Sequence, residues 1–439
     1  MRTIDVHRLA DEAKFNGFHG KVLFWCALII LFDGYDLAVA GIALPSIMKD
    51  MGVDPTKAGF MVSSALFGMA FGAIFFGTIA DRIGRRWTIA ICVALFSLFT
   101  AAAGLTKDPL VFSVLRFLAG LGIGGVMPNV VAHTTEFAPK KIRATLVTVM
   151  FSGYPIGGMV AAILGKGLIE TYGWQSVFFA AGLPVLLIPL IVKSLPESMP
   201  FLLANGRHDD LKEIASKIDP SNKPVATDHF AVPPQDKANN APVMHLFQEG
   251  RAFSTVMLWI AYFMCLFMVY ALNSWLTKLM ASAGYSLGSA LTFVFVLNAG
   301  AIIGSIGGGL LGDKLHIKYV LVGMCSLAAV SITLLGFKLP SAALFVVVAL
   351  AGATTIGTQT LANAYTGQFY PMAARATGLG WALGIGRSGA ILAPIVIGVL
   401  VSMNLPLRYN FMAIALPAII AMIAFLFVDH SRSASTHHA

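Results

Sequence analysis

The stretch that decides the fold is GTIADRIGRR, at residues 77–86, because a related stretch returns later in the chain as GLLGDKLHIK at 309–318. These two stretches lie 232 residues apart. A second pair of matching segments, FAPKKIRAT at 137–145 and FYPMAARAT at 369–377, is separated by the same 232 residues. Because two separate anchors share one offset, the sequence predicts that one structural unit occurs twice in the same orientation.

Outside these polar stretches the chain is mostly apolar. Of its 439 residues, 57% are hydrophobic and 12% are charged, whereas about 25% of the residues in a soluble domain are charged. This shortage of charge excludes an ordinary soluble enzyme, a nucleic-acid-binding protein and a disordered scaffold. We therefore expect the chain to lie in a lipid bilayer.

Twelve apolar segments are long enough to cross a bilayer, which takes about 20 residues in a helix. The predicted helices cover residues 22–46, 58–80, 87–106, 109–133, 143–168, 174–194, 252–280, 288–311, 319–338, 341–366, 376–402 and 407–428. Together with the repeat, they predict an all-α membrane protein whose twelve transmembrane helices form two parallel six-helix bundles.

A polar stretch at 195–250 divides the chain into an N-terminal bundle (1–194) and a C-terminal bundle (251–439). The stretch contains a charged run at 209–213, compatible with a short helix that Pro220 would end. A Pro- and Asn-rich run follows, so we expect a short cytoplasmic helix and then a flexible linker.

The basic residues are spread unevenly over the two sides of the membrane. With the N-terminus in the cytoplasm, 21 of the 30 Lys and Arg residues fall on the cytoplasmic side, 7 on the outer side and 2 within helices. This is the positive-inside distribution, so it predicts that both termini lie in the cytoplasm. The formal net charge of +9 therefore does not indicate a nucleic-acid partner.

Three motifs resemble those of known transporters. The stretch at 77–86 is similar to the signature between helices 2 and 3 of the major facilitator superfamily, and the repeat extends this resemblance over the whole chain. LPESMP at 195–200 resembles a motif shared by sugar porters and organic-ion transporters. FDGYD at 32–36, followed by Gly41 and Pro45, resembles the first helix of the aromatic acid:proton symporter family.

The resemblance implies a proton-coupled symporter that imports benzoate-like acids, hydroxybenzoates or muconate across the inner membrane of bacteria. Charged positions of that family also find matches at Arg116, Glu136, His316, Arg375 and Arg387. Two other functions stay open, a proton-linked exporter and a porter of another organic anion. A membrane-bound sensor would need a sizeable output domain, and the polar stretch of about 55 residues is too short for one.

Four charged residues lie within predicted helices, near one depth in the membrane: Asp33, Asp36, Arg116 and Arg387. A charge at a helix centre costs about 2.5–3.5 kcal/mol on insertion scales, and none of the four is copied at the 232-residue offset. We therefore predict that they form the functional site. Asp33 and Asp36 share a helix face, and two close carboxylates resist ionising together, so one of them is a candidate proton carrier.

The arginines are predicted to bind carboxylates. An arginine stays protonated and can hold a carboxylate through two hydrogen bonds, so Arg387 is the predicted substrate-binding residue. Arg116 either competes for the same carboxylates during coupling and substrate binding, or forms a fixed salt bridge with Asp33 or Asp36. Other residues predicted to line the substrate site, with helix packing as the alternative, are Tyr270, Asn298, Gln359 and Asn363.

Charged residues near the cytoplasmic helix ends are predicted to form a gate: Asp81, Arg82, Arg85, Arg86, Glu136, Arg143, Asp313, His316 and Arg375. The basic residues next to Asp81 are expected to pair with the opposite half and to steady an outward-open state. Topology alone is the alternative explanation for the arginines, and a satisfied interfacial pair is the alternative for Glu136. Because KLH at 314–316 replaces RIG at 82–84 in the second copy, the role of His316 stays open.

No catalytic or metal-binding constellation is evident in the sequence. We therefore predict neither an enzyme nor a cofactor, with the proton as the coupling ion. The expected partners are a small aromatic carboxylate, the proton and the lipid bilayer, and we expect the chain to act as a monomer.

Overall fold

The computed structural model describes residues 3–220, 228–231 and 243–433, which fold almost entirely as helices. In the first part of the chain these are α1 (Val6–Glu12), α2 (Gly17–Met51), α3 (Pro55–Ile83), α4 (Arg85–Ala103), α5 (Pro109–Phe137), α6 (Arg143–Phe151), α7 (Gly153–Tyr172), α8 (Gln175–Ala180), α9 (Ile188–Ser194), α10 (Met199–Ala204) and α11 (His208–Ile218). In the second part they are α12 (Ala252–Ser282), α13 (Leu287–Lys314), α14 (Ile317–Leu334), α15 (Ser341–Phe369), α16 (Met372–Ser402) and α17 (Leu407–Phe427). The described part of the chain contains twelve spans long and apolar enough to cross a membrane, which confirms the predicted number and order.

Local sequence explains several helix ends. α3 and α5 each begin with a proline after an aspartate, and Asp54 and Asp108 cap them by accepting backbone N–H groups of the first turns at 3.1 and 2.8 Å. Between α3 and α4 the chain turns at Gly84, which has a φ of 91°, a conformation that residues with a Cβ seldom adopt. This turn places Arg85 directly at the end of α3.

The fifth and sixth spans run over Arg143–Tyr172 and Gln175–Ser194, in agreement with the predicted 143–168 and 174–194, and each contains a local irregularity. Ser152 separates α6 from α7, and a 3₁₀ turn at Leu183–Leu187 separates α8 from α9. Prolines lie in the first turn of that 3₁₀ piece and of α9, where their missing N–H groups cost no helical hydrogen bond. The two predicted spans are therefore confirmed, and the local irregularities within them are details that the sequence did not predict.

The segment between the two sets of spans contains the predicted short helix, α11. It also takes part in a small parallel sheet that the sequence did not predict, in which β1 (Thr3–Asp5) pairs with β2 (His229–Ala231). This pairing ties the N-terminus to the linker. The predicted flexible linker falls largely on residues 221–227 and 232–242, outside the described residues.

We call α2–α9 the N-terminal half and α12–α17 the C-terminal half; they contact each other through α2 and α12, α3 and α16, and α7 and α13. The end of the molecule that carries the linker is the linker side, and the other end is the far side. On the far side the backbones of α3 and α16 touch. A Cβ at Gly59 would overlap the carbonyl oxygen of Pro394, and one at Gly398 would lie against that of Pro55.

The same two helices separate toward the linker side. Gly77 follows Gly59 by 18 residues, and Gly380 precedes Gly398 by 18, which is five helical turns, so each pair lies on one face of its helix. A Cβ at Gly77 or Gly380 would meet no atom within 4 Å. The halves are therefore closed on the far side and separated along these helices on the linker side.

Candidate functional site

An ion pair between Asp36 of α2 and Arg116 of α5 lies inside the N-terminal half. Arg116 Nη1 donates to Asp36 Oδ1 and to the Thr100 hydroxyl, each at 2.6 Å, and Nη2 donates to the Asp36 backbone oxygen at 3.2 Å. Both charged side chains are 1% exposed. The structure thus contains the salt bridge that was the alternative for Arg116, with Asp36 as its partner. Thr100, which no motif had marked, completes it.

Asp33 lies almost one turn before Asp36 on the same helix, in a different environment. Its side chain is fully buried, yet neither carboxylate oxygen has a hydrogen-bond partner in the described part of the chain. It interacts electrostatically with Arg387 of the opposite half. Because a buried carboxylate without hydrogen bonds is costly as an anion, Asp33 and Asp36 are not equivalent.

Arg387 extends from α16 toward the N-terminal half. Gly389 lies against the carbonyl oxygen of Phe263 in α12, and a separation of two residues places Arg387 on nearly the opposite face of the helix. There the Nη1 atom donates to the backbone oxygen of Met69 in α3 at 3.4 Å. Among the described residues Arg387 has no carboxylate within ion-pair distance, so its guanidinium keeps most of its donors for a ligand.

A small cavity lies between the halves. It extends toward the far side from the depth at which Asp33, Asp36, Arg116 and Arg387 lie. The polar residues in its wall are Arg116, Tyr154, Tyr270, Asn273, Ser274 and Asn298. The phenol groups of Tyr154 and Tyr270 interact with each other across the boundary between the halves. The cavity measures about 20 Å³, which is room for about one water molecule, so an aromatic acid can enter only when the halves move apart here.

The structure brings two of the four predicted polar residues to this cavity and leaves two elsewhere. Tyr270 and Asn298 line the cavity. In α15, Asn363 accepts a hydrogen bond from the Tyr262 hydroxyl at 3.0 Å, and Gln359 Nε2 lies 3.5 Å from Asn363 Oδ1. Gln359 and Asn363 do not line this cavity in this conformation, because their amides face a polar cluster within the C-terminal half; their predicted role in substrate binding stays a prediction.

On the linker side, two buried carboxylates hold the turn between α3 and α4. Arg85 Nη1 donates to Glu136 at 2.5 Å, and the backbone N–H of Arg86 donates to Glu197 at 3.1 Å. In this conformation both arginines bind within the N-terminal half; the predicted pairing with the opposite half concerns an outward-open state and stays a prediction. Glu197 was not among the predicted site residues, although the motif at 195–200 contains it.

The other predicted gate residues do not form one cluster. Asp81, Arg82 and Arg375 are exposed, and Arg143 pairs with Asp11 of α1. The side chain of Asp313 lies outside the described residues. This conformation therefore assigns a carboxylate partner to Arg143 and leaves the exposed residues facing the separated linker side.

His316 contacts the C-terminal segment 428–433. Its ring centroid lies 4.3 Å from that of His430, which also stacks on Tyr365 at 5.8 Å. Lys318 donates to the backbone oxygen of Val428 at 2.8 Å. Burial lowers the pKa of His430, and the neighbouring His316 and Lys318 lower it further.

Comparisons with known proteins agree with this architecture. Residues 26–388 and 258–438 match a family model described as the Major Facilitator Superfamily. The chain is 47% identical to the benzoate transport protein of Acinetobacter baylyi over 98% of this chain and 94% of that protein. It is 36% identical to the gallate transporter of Pseudomonas putida, over 99% and 97% of the two chains.

A solved structure supports the fold. A bacterial homologue of the human lysosomal transporter Spinster, in an inward-facing and unoccupied conformation, superposes with a TM-score of 0.73 over 94% of this chain and 98% of that chain. The two sequences are 17% identical, so the similarity concerns the fold alone.

Proposed function

We propose that this chain, which belongs to the major facilitator superfamily, imports a small aromatic carboxylate together with a proton. It is a multi-pass membrane protein, and relatives named for benzoate and gallate transport align with nearly its whole length. One observation carries the proposal. At the boundary between the halves, the buried carboxylate of Asp33 lacks hydrogen bonds and interacts with Arg387, an arginine without a carboxylate within ion-pair distance among the described residues.

The charge distribution supports an orientation with the linker side and both termini in the cytoplasm of a bacterium. In that orientation the halves are closed toward the outside and separated toward the cytoplasm, so the structure corresponds to an inward-facing state. The proposed transporting unit is a single chain, in which the two halves enclose the boundary where Asp33 and Arg387 lie.

The two aspartates have separate tasks in the mechanism. Arg116 neutralises Asp36 inside the N-terminal half, and this pair holds α2 and α5 together. Asp33 carries the proton, and Arg387 binds the substrate carboxylate through charge-assisted hydrogen bonds. When Asp33 carries the proton and Arg387 holds the substrate carboxylate, the charges of the four buried residues and the substrate nearly cancel. This lowers the free-energy cost of moving the halves past each other in apolar surroundings.

Reconstituted vesicles test both assignments through uptake of radiolabelled benzoate under an imposed proton gradient. We expect Asp33→Asn to abolish accumulation driven by the gradient while benzoate exchange across the membrane persists. Arg387→Ala removes hydrogen bonds worth about 1.5–3 kcal/mol each, so both accumulation and exchange should fall at least about tenfold.

Two matched substitutions control for general damage. Asp50, replaced in Asp50→Asn, lies on the same helix as Asp33, at the far-side surface beside Lys107. Arg408→Ala removes an exposed arginine, whereas Arg387 is partly buried. Both variants should transport as the wild type does. Gradient-driven accumulation by Asp33→Asn, or unchanged uptake by Arg387→Ala, would contradict the assignment.

A further inference from the structure

A lysine of the N-terminal half reaches across the boundary between the halves on the far side. Lys166 Nζ of α7 donates to the hydroxyl oxygen of Thr292 in α13 at 3.3 Å. A Cβ at Gly288, in the first turn of α13, would lie 3.6 Å from Lys166 Cε. Beside it the two helices are in contact, since a Cβ at Gly165 would lie 3.2 Å from Leu291 Cδ1. The exposed side chain of Lys166 therefore lies along the closed edge between α7 and α13.

The positive charge of Lys166 is not neutralised by a neighbouring carboxylate. None of the ion pairs in the described part of the chain includes Lys166. Thr292 donates its hydroxyl hydrogen to the backbone oxygen of Gly288 at 2.9 Å, so it accepts a hydrogen bond from the ammonium without neutralising it. An ammonium has three N–H groups. Two of them, and the full charge, are therefore left for another acceptor.

Lys166 lies much nearer the far-side surface than the proposed substrate site does. On the same helix, Tyr154 interacts electrostatically with Asp33, so it marks the depth of Asp33 and Arg387. Lys166 follows Tyr154 by 12 residues, which is about 18 Å along an α-helix. In the orientation proposed above, the far side faces the outside. A substrate that enters between α7 and α13 therefore passes Lys166 before it reaches Arg387.

Opening of the far side changes what Lys166 can bind. When the halves separate there, Thr292 moves away with the C-terminal half, while Lys166 stays with the N-terminal half. The ammonium then borders the entrance without a partner from the opposite half. A fixed charge at the mouth of a low-dielectric cleft raises the local concentration of ions of the opposite sign, and an aromatic carboxylate is such an ion at neutral pH. On closure Thr292 replaces the carboxylate, so the anion is free to move on to Arg387.

We propose that Lys166 is a capture site, which binds the carboxylate of the substrate at the outer entrance before Arg387 receives it. This inference rests on the proposed function, because it takes the substrate to be an anion that enters from the far side. The capture site acts at one face of the membrane only. Its removal should therefore weaken binding from the outside and leave binding from the cytoplasm unchanged, whereas the loss of Arg387 should weaken both.

Oriented membrane vesicles containing the full chain test the capture site. Right-side-out vesicles present the outer face to the medium, and inside-out vesicles present the cytoplasmic face. With saturating unlabelled benzoate inside, the uptake of labelled benzoate gives the half-saturating concentration for the face in the medium. An exposed charge pair corresponds to at most about fivefold in affinity. We expect Lys166→Met to raise the half-saturating concentration about threefold at the outer face and less than about 1.5-fold at the cytoplasmic face.

Further variants distinguish the charge from a structural role. Lys166→Gln loses the charge but can still donate to Thr292, so it should behave as Lys166→Met does. Lys166→Arg keeps the charge and should keep the wild-type value within about twofold. Thr292→Val removes the partner of the closed state and keeps the charge, so it should not raise the half-saturating concentration. Lys107→Met is the matched control, because Lys107 is another exposed far-side lysine, bound to Asp50 at 3.3 Å, and its loss should change neither value.

The outcomes separate the capture site from the proposed function. Equal changes at both faces in Lys166→Met overturn the capture site alone, as does an unchanged value at the outer face, which would mean that the ammonium only reaches the membrane surface. A rise in Thr292→Val as large as that in Lys166→Met also overturns it, because the hydrogen bond and not the charge would then matter. A wild type that transports no aromatic carboxylate overturns the function.

If Lys166→Met does not reach the membrane, salt tests the capture site on the wild type. Raising the salt from about 0.01 M to about 1 M shortens the screening length from about 30 Å to about 3 Å. The half-saturating concentration should then rise about threefold more at the outer face than at the cytoplasmic face. An equal rise at both faces overturns the capture site.

Discussion

Replacing Asp36 by asparagine removes the charge that compensates Arg116 while keeping the size of the side chain. Arg116 then keeps its hydrogen bonds to Thr100 and to the Asp36 backbone oxygen, but its positive charge is left buried at 1% exposure. Breaking a buried ion pair from one side costs about 3–5 kcal/mol. We therefore expect Asp36→Asn to lower the free energy of unfolding by about 3 kcal/mol, the lower end, because two hydrogen bonds remain.

The double variant Asp36→Asn with Arg116→Gln distinguishes a charge effect from lost packing. It removes both charges, so no uncompensated charge is left buried. We expect it to unfold closer to the wild type than Asp36→Asn does, with a coupling free energy of about 2–3 kcal/mol in the cycle. Asp33→Asn is a second comparison on the same helix, and it should lower the stability little because that carboxylate has no hydrogen bonds to lose.

Denaturant titration of the purified protein in detergent micelles, followed by tryptophan fluorescence, measures these differences. An Asp36→Asn variant as stable as the wild type would show that Arg116 is compensated by another group. A double variant as unstable as the sum of its single changes would show that the two side chains act independently. Either result would refute the assignment of Asp36 as the fixed partner of Arg116.

Two further predictions concern the contacts between the halves and the C-terminal segment. Gly59→Leu places a side chain against the carbonyl oxygen of Pro394, so it should open the far side. Labelling of a Val62→Cys variant by an impermeant thiol reagent should then rise at least about twofold. Gly77→Leu, whose side chain would meet open space, should leave the labelling unchanged. Because the folded protein lowers the pKa of His430 below its ordinary value of 6.5, the segment 428–433 is most stable above that pH and loses stability as the pH falls below it. The protection of this segment against hydrogen exchange, corrected for the intrinsic effect of pH, should therefore fall as the pH is lowered from about 7 to about 5.5, and His430→Phe should remove that fall.

The sequence predicted what depends on composition and local pattern. The number of spans, their order and the repeat follow from apolar runs and from two matched pairs of segments. The buried charges were found because charge is scarce in this chain, and the internal repeat singled them out by not copying them.

Local sequence patterns could not predict contacts between segments that are distant in the chain. Nothing local distinguishes Asp36 from Asp33 as the partner of Arg116, because that choice depends on how α2 is rotated against α5. The attachment of Arg86 to Glu197 and the pairing of β1 with β2 join segments more than 100 residues apart. The contact of Gln359 with Asn363 was not predictable for the same reason, since the rotation of α15 decides which neighbours its amide meets.

The far-side contact between the halves has a consequence for the environment in which the protein works. The ion pairs in the described part of the chain each lie within one half or its flanking segments, and the far-side contact of α3 with α16 is made of glycines and backbone carbonyl groups. At 0.1 M salt the attraction between exposed charges is screened with a decay length of about 10 Å. Salt has little effect on uncharged surfaces in close contact. The contact of α3 with α16 on the far side should therefore open as readily in brackish water as in fresh water.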